Sequence, residues 1–194
     1  MVVFSAGSGP GPIWACLPIL FLAWTGKIYL AKGEGWTLLW LCDICNLMLA
    51  LGLVFRRLDW VWISTMWLIA GTPLWILDDL SRGTLRPNAV GIHLGSAALG
   101  LWAMRSHPRP GRLWPTAVTW LIVAQLVSRL ITPSELNVNL AHHVYPALEP
   151  WFSSYAPYWV FNVVMFSLAM FILERWLDRW INASRSQADS RGSG

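Results

Sequence analysis

Residues 38–49, which read LLWLCDICNLML, decide how the rest of the chain is interpreted. They place Cys42, Asp43, Cys45 and Asn46 inside an otherwise apolar run. If residues 36–55 form one membrane-crossing helix, Cys42, Asp43 and Asn46 share one side of it, because positions three and four apart are neighbours on a helix. An ionisable group in such a helix is costly against lipid, so this side is expected to face protein and to mark a functional site.

The composition of the whole chain predicts a membrane protein. The 194 residues are 56% hydrophobic and only 12% charged, and 15 of them are Trp. Runs of about 20 apolar residues are long enough to cross the hydrocarbon core as helices. We count six such runs and therefore predict an all-α, polytopic six-transmembrane-helix bundle. The connections are too short for a separate soluble domain, and the net charge of +4 does not indicate a nucleic-acid partner.

The predicted organisation has three parts. Residues 1–12 form a flexible lead-in, residues 13–181 a single transmembrane bundle, and residues 182–194 a disordered cytoplasmic tail. Within the fourth helix, Gly91 and Gly95 form a small-residue face that permits close helix contact. The six helices are expected to cover about residues 13–30, 36–55, 59–77, 88–104, 114–132 and 158–176.

The placement of Lys and Arg orients the predicted bundle. With six helices, one side carries Arg56, Arg57, Arg105, Arg109, Arg112, Arg175, Arg179, Arg185 and Arg191, and the other carries Lys27, Lys32, Arg82 and Arg86. The side with more positive residues faces the cytoplasm. Both termini are therefore predicted to be cytoplasmic, in the plasma (inner) membrane.

Every ionisable residue inside the predicted helices falls in the outer half of the membrane. One outward-facing pocket accounts for their common depth, with Cys42 and His93 as its chemical centre. A thiol, an imidazole and a carboxylate are the parts of nucleophilic acyl chemistry. We expect Cys42 and His93 within one hydrogen bond or one bridging water of each other. The supporting residues are Asp43, Asn46, Gln125, Arg129, Asn137, Asn139, His142 and Asn162.

Each of these residues also has a simpler interpretation than a catalytic pocket. In one alternative, Asp43 and Arg129 pair as a structural clamp between the second and fifth helices. Cys42 alone is compatible with a small buried apolar side chain, and His93 alone with a hydrogen bond to a carbonyl. Asp78 and Asp79 are expected to be a solvated helix end. His142 and His143 have no carboxylate at ligand spacing, so we expect no metal, and no cofactor is indicated.

Several short motifs in order resemble a known family. They are Leu41-Cys42-Asp43, Trp67-Leu68-Ile69-Ala70-Gly71-Thr72-Pro73-Leu74, Gly91-Ile92-His93-Leu94, Asn137-Val138-Asn139 with Tyr145, Pro150-Trp151 and Pro157-Tyr158-Trp159. Over about residues 36–165 the chain resembles the YwaF-like integral membrane family. That family looks related to the ether-phospholipid acyltransferases and, more distantly, to the androgen-induced serpentine lipid hydrolases. The chain departs from the pattern at His142-His143.

The resemblance implies a nucleophile on the second helix and a His on the fourth, acting on the acyl chains of membrane lipids. Cys42 and His93 match those two positions. The leading hypothesis is a membrane-embedded acyl-transfer enzyme. A lipid hydrolase of the same chemistry, or a non-enzymatic protein that binds or transports a small ligand or serves as an accessory subunit, are the alternatives. Membrane lipids are the expected partners, and protein partners are left open.

Overall fold

The chain folds into helices joined by short connections. The computed structural model describes residues 10–81, 83–107 and 109–192. The expected lead-in therefore lies largely outside the described residues, as do the last two residues of the expected tail. The α-helices are α1 (Cys16–Ala31), α2 (Leu41–Val54), α3 (Leu58–Ser81), α4 (Pro87–Val90), α5 (Ser96–Arg105), α6 (Trp114–Ile131) and α7 (Tyr155–Gly192). The protein is thus all-α across its described part, as predicted.

Four helical segments are long and apolar enough to cross a membrane. They are Pro12–Ala31, Leu58–Ser81, Trp114–Ile131 and Tyr155–Ser184. The helix α2 is also apolar but has only 14 residues, about 21 Å at 1.5 Å per residue.

The second helix begins later than the sequence predicted. Residues Gly35–Leu39 form a 3₁₀ turn, and Trp40, with ψ of 138°, breaks the helical path before α2 starts at Leu41. The prediction of one helix over residues 36–55 is therefore wrong. Cys42 consequently lies in the first turn of α2 and not two turns inside it.

The fourth predicted helix is a composite of three segments. The helix α4, a π-helical stretch over Gly91–Gly95 and α5 run on without a gap from Pro87 to Arg105. The ring of Phe21 on α1 lies against Gly91 and Gly95, where an added Cβ would come within 2.7 and 2.8 Å of ring atoms. The predicted close contact at these two glycines is confirmed.

The helix α3 lies at the centre of the fold and contacts α2, α5, α6 and α7. Trp62 and Met66 are buried on it, packed with Leu49 of α2 and Met104 of α5 in one apolar core. Burying apolar surface between helices stabilises such a core. Thr65 of α3 sits against Gly100 of α5 so closely that no side chain fits at position 100.

The connections gather at two ends of the bundle. At the first, the Asn139 end, Asn139 binds the backbone of Leu39 and Leu41, which brings connection 132–154 beside the start of α2. At the opposite end, the Glu174 end, Arg109 lies near Glu174 and Asp178 of α7.

The last helix is longer than predicted. The helix α7 does not end near residue 176 as expected. It continues to Gly192, through part of the predicted tail.

Candidate functional site

The first turns of α2 direct their polar side chains into the protein, as predicted. Asp43 is only 3% exposed and Asn46 is fully buried. The Asn46 side chain accepts a hydrogen bond from the Ser96 hydroxyl on α5 and donates one to the Cys42 carbonyl at 2.9 Å. Asp43 Oδ1 is buried and has no hydrogen-bond partner in the described parts of the chain. An unpaired buried carboxyl oxygen is costly in any protein interior.

His93 occupies the π-helical segment and is 5% exposed. Its ring stacks on Trp75 of α3, with centroids 5.2 Å apart and planes 4° apart. An added Cβ at Gly71 would lie 3.3 Å from His93 Cε1, so the glycine makes room for the imidazole. His93 Nδ1 is buried and forms no hydrogen bond of good geometry among the described residues, and the Leu68 backbone lies close enough to interact with the imidazole. Single-turn π segments occur frequently at functional sites.

Asp79 holds Trp75 in this position. Asp79 Oδ2 accepts hydrogen bonds from Trp75 Nε1 at 2.9 Å and from the Arg86 backbone N–H at 2.8 Å. The Arg86 guanidinium donates to Asp79 Oδ1 through Nε at 2.7 Å and pairs with it through Nη2 at 2.6 Å. Burial alone would lower the pKa of Arg86, but its hydrogen bond to Asp79 and the nearby charges raise it above the ordinary value.

The Asp79 side chain is fully buried, so the expectation of a solvated helix end is wrong for this residue. The reason lies in the turn that follows α3, which folds Arg86 back over the carboxylate. Asp78 remains partly exposed and also lies 3.7 Å from Arg86. Sequence reasoning missed this arrangement, although the four-residue spacing of Trp75 and Asp79 on one helix face was a usable signal.

Asn139 joins the long connection to two helices. Its Oδ1 accepts from the Leu41 N–H at 2.7 Å, at the start of α2. Its Nδ2 donates to the Leu39 carbonyl at 2.8 Å and to the Ser128 hydroxyl of α6 at 2.9 Å. Gln125 Nε2 in turn donates to the Asn139 carbonyl at 3.1 Å. Asn139 therefore caps α2 from a distant part of the chain, a role that its side-chain amide suits.

Asn137 organises the loop itself. It has a left-handed backbone with φ of 41°, and its Oδ1 accepts from the His142 and His143 N–H groups at 2.9 and 3.0 Å. The His142 ring lies 3.2 Å from the Thr132 hydroxyl. These hydrogen bonds lie within the connection, and they hold His142 and His143 in the fold of the loop. No group of three or more potential ligands among His, Cys, Asp and Glu is arranged for a metal within residues 10–81, 83–107 and 109–192.

A cavity of about 230 Å³ opens between α6 and α7 at the Asn139 end. It brings together two of the predicted pocket residues, Gln125 and Arg129, and leaves out Cys42 and His93. Asn162 is buried on α7, where its side chain lies near the Tyr158 hydroxyl, and it does not line this cavity either. The lining residues are Gln125, Leu126, Arg129, Tyr155 and Trp159.

The predicted clamp between Asp43 and Arg129 is wrong. Arg129 Nη1 donates to the Ala141 carbonyl at 3.1 Å, and its guanidinium lies 4.7 Å from the ring centroid of Tyr155. The physical reason is the path of the long connection, which places a carbonyl and an aromatic face beside Arg129. Asp43 forms no ion pair among the described residues, and Arg86 pairs with Asp79.

Cys42 and His93 form no hydrogen bond with each other in the described structure. Cys42 is half-buried at the beginning of α2, whereas the neighbouring Cys45 is fully buried and Cys16 is exposed. The direct-contact form of the predicted pair is therefore absent among the described residues, and the water-bridged form stays a prediction.

Glu174 is a buried acidic residue that sequence reasoning missed. It is 1% exposed on α7, and its Oε1 accepts a hydrogen bond from the Leu113 N–H at the start of α6. Arg109 lies 3.8 Å from the same oxygen. A carboxylate at a helix N-terminus is stabilising, so this residue joins α6 to α7 at the Glu174 end. Its signal in the sequence was an acidic residue at the end of a long apolar run, followed directly by Arg175.

Comparisons with known proteins found no match to this chain, whether among protein-family models, curated proteins or solved structures.

Proposed function

We propose that this protein is a membrane-embedded enzyme that transfers acyl groups of membrane lipids, with Cys42 as nucleophile and His93 as base. The observation that carries the proposal is the surrounding of His93. This imidazole sits in a π-helical segment, is oriented by Trp75, and has a buried Nδ1 that forms no hydrogen bond of good geometry within the described structure. The unprotonated ring nitrogen of a neutral imidazole can accept a proton. The resemblance to the YwaF-like family supports the same two residues.

The proposed membrane arrangement has six spans and cytoplasmic termini in the inner membrane. The four long helices supply four spans. The other two are the Gly35–Leu39 turn with α2, and the run from Pro87 to Arg105. The second of these has a length of about 28 Å at 1.5 Å per residue, close to the thickness of the hydrocarbon core at about 30 Å. The distribution of Arg and Lys supports the orientation.

The proposed reaction begins with transfer of the Cys42 thiol proton to His93 through one bridging water, since the two side chains do not bond directly. The thiolate attacks the carbonyl carbon of a lipid ester, and the C–O bond breaks as the imidazolium returns the proton to the leaving alcohol. The resulting thioester on Cys42 then passes its acyl group to an acceptor hydroxyl, whose proton restores the thiol. With water as acceptor, the same steps make a lipid hydrolase.

The test is acylation of the purified protein in phospholipid nanodiscs by an alkyne-tagged fatty-acyl ester of p-nitrophenol. The wild type is expected to form a hydroxylamine-sensitive adduct, and Cys42→Ala is expected to lose it. The variants Cys16→Ala and Cys45→Ala are matched controls, one at an exposed thiol and one at a fully buried thiol on the same helix. Both should label normally. Equal labelling of Cys42→Ala and wild type would overturn the proposal.

A second candidate is a lipid-binding membrane protein without catalysis. The observation that favours it is the position of the 230 Å³ cavity, whose lining includes neither Cys42 nor His93. In that case Cys42→Ala should leave lipid binding and cellular function unchanged.

A further inference from the structure

The cavity at the Asn139 end combines one cation with an apolar rim. Arg129 is the only charged residue in its lining, and no acidic residue accompanies it. Leu126 and Trp159 supply apolar surface, while Gln125 and Tyr155 supply polar atoms. A cavity of about 230 Å³ with this lining accommodates a small anionic group attached to an apolar body.

Arg129 is held in place without being neutralised. One N–H bonds to the Ala141 carbonyl, and the Tyr155 ring supports the guanidinium plane. Within the described structure no carboxylate pairs with it, in contrast to Arg86, which pairs with Asp79. A further N–H interacts with the Tyr155 hydroxyl. The donors that remain can bind an anion, since the planar guanidinium matches the oxygen spacing of a phosphate. Arg129 is therefore an oriented hydrogen-bond donor for an anion.

Gln125 provides a second requirement on the ligand. Its Nε2 is used by the Asn139 carbonyl, which defines the orientation of the amide. Its Oε1 is buried and has no donor among the described residues. A buried acceptor without a donor is unfavourable, so a ligand that offers an N–H or O–H here relieves that cost. The ligand thus carries both an anion and a hydrogen-bond donor.

The apolar part of the ligand has a matching surface. Exposed apolar side chains extend from the cavity along both helices, on α6 at Leu126 and Leu130 and on α7 at Val160 and Val164. An acyl chain lying along these helices contacts apolar atoms while its headgroup stays at the cavity. A phospholipid has this combination of an anionic headgroup and acyl chains, whereas a free phosphate ion makes no contact with the apolar surface.

We propose that this cavity binds the headgroup of a membrane phospholipid, with Arg129 on the phosphate and Gln125 Oε1 accepting from a headgroup hydroxyl or ammonium. The assignment rests on the membrane placement of the proposed function and adds the substrate class. Gln125 bonds to Asn139, and Asn139 bonds to Leu41, the residue before Cys42. The cavity is therefore two hydrogen bonds from the start of the proposed nucleophile's helix.

The experiment measures binding of radiolabelled dihexanoyl-phosphatidylglycerol to the purified full-length protein in detergent. Wild type should bind saturably. Arg129→Gln should bind about tenfold more weakly or worse, because a charged hydrogen bond is lost. Arg175→Gln is the matched control, since Arg175 also lies on an apolar helix, over the Phe171 ring, and is not part of the cavity lining. It should bind as wild type does.

A second variant leaves the Arg129 contacts intact. Leu126→Trp should fill the cavity and weaken binding, whereas Val127→Trp, at the next position on α6, 42% exposed and outside both the lining and the proposed acyl surface, should not. Thermal stability without ligand checks that each variant is folded. Unchanged binding by both Arg129→Gln and Leu126→Trp would overturn the assignment.

Two competing compounds distinguish a phospholipid headgroup from a free phosphate ion as the ligand. Dihexanoylglycerol, which lacks phosphate, should compete poorly, and so should inorganic phosphate, which lacks chains. Full competition by inorganic phosphate would show a free-phosphate site and reject the phospholipid. Cys42→Ala should keep normal binding. If it also keeps normal acylation, the acyl-transfer proposal fails while the headgroup site stands, so the two failures are distinguishable.

Discussion

Trp75 lies flat against His93, with ring centroids 5.2 Å and planes 4° apart, and it is fastened by its own hydrogen bond to Asp79. The contact joins α3 to the π-helical segment. The imidazole is therefore oriented by an aromatic face and not by a carboxylate. In the proposed chemistry, Trp75 is a positioning residue for the base.

Two substitutions of Trp75 distinguish the contribution of its aromatic ring from that of its N–H hydrogen bond to Asp79. Trp75→Phe keeps an aromatic face, so acylation of Cys42 should continue at a reduced rate, whereas Trp75→Ala should lower the rate much further. His93→Gln should lower it by about 100-fold, the lower bound for losing a general base. Labelling time courses with the tagged acyl ester measure all three. Normal labelling of His93→Gln would remove the assigned base, whatever the Trp75 variants do.

The pair formed by Asp79 and Arg86 is predicted to stabilise the fold. Asp79→Asn and Arg86→Gln should each lower the free energy of unfolding by about 1–3 kcal/mol, because a partner is lost from a buried hydrogen-bonded carboxylate. The double variant should cost clearly less than the sum of the two. Thermal denaturation in detergent measures this cycle.

The exposed pair of Arg57 and Asp59 is the control for that cycle. It has a similar 2.8 Å separation, but the Arg57 side chain is 50% exposed. Arg57→Gln should change stability by about 1 kcal/mol or less. Strict additivity at Asp79 and Arg86 would contradict a coupled pair.

Asn139 is predicted to hold the start of α2. Asn139→Ala removes three side-chain hydrogen bonds, including the cap on Leu41, and should destabilise the protein by about 2 kcal/mol. Hydrogen exchange of the amides at 41–44 should accelerate selectively. Asn182→Ala, at an exposed position on α7, is the control and should leave both measurements unchanged. Unaltered exchange in Asn139→Ala would mean that α2 begins without this cap.

Gly100 is predicted to be required for close contact between α3 and α5. A Cβ there would fall 2.0 Å from Thr65 Oγ1, so Gly100→Ala forces the helices apart. The expected loss of stability is about 1–3 kcal/mol, typical of an overpacked core. Removing the hydroxyl with Thr65→Ala should recover part of this loss in the double variant. Gly11→Ala, where nothing lies within 4 Å, should be neutral.

The orientation of the proposed bundle is tested by reporters fused after residue 194. A reporter active only in the cytoplasm should be active there, and one active only outside should be silent. Fusion at residue 84, between α3 and α4, should give the opposite pattern. The same reporter pattern at both positions would contradict the three spans proposed between residues 84 and 192.

Helix class, approximate helix positions and the inward direction of Asp43 and Asn46 were predictable from the sequence, because they depend on local composition and on helical periodicity. The small-residue face of Gly91 and Gly95 followed from the same local reasoning, although its partner, Phe21 of α1, did not. Sequence periodicity gave no warning of the break at Trp40. The residue that caps α2 there, Asn139, is almost a hundred positions away.

The neighbours of each polar group were decided by tertiary structure. Asp43 and Arg129 were the natural pair by charge and depth, yet the route of the long connection gives Arg129 a carbonyl and an aromatic ring. Asp79 was expected in water, and the turn to Arg86 buries it. Whether two charges meet depends on how helices rotate and loops close, which are settled by packing over the whole bundle and not by the spacing of residues along one helix.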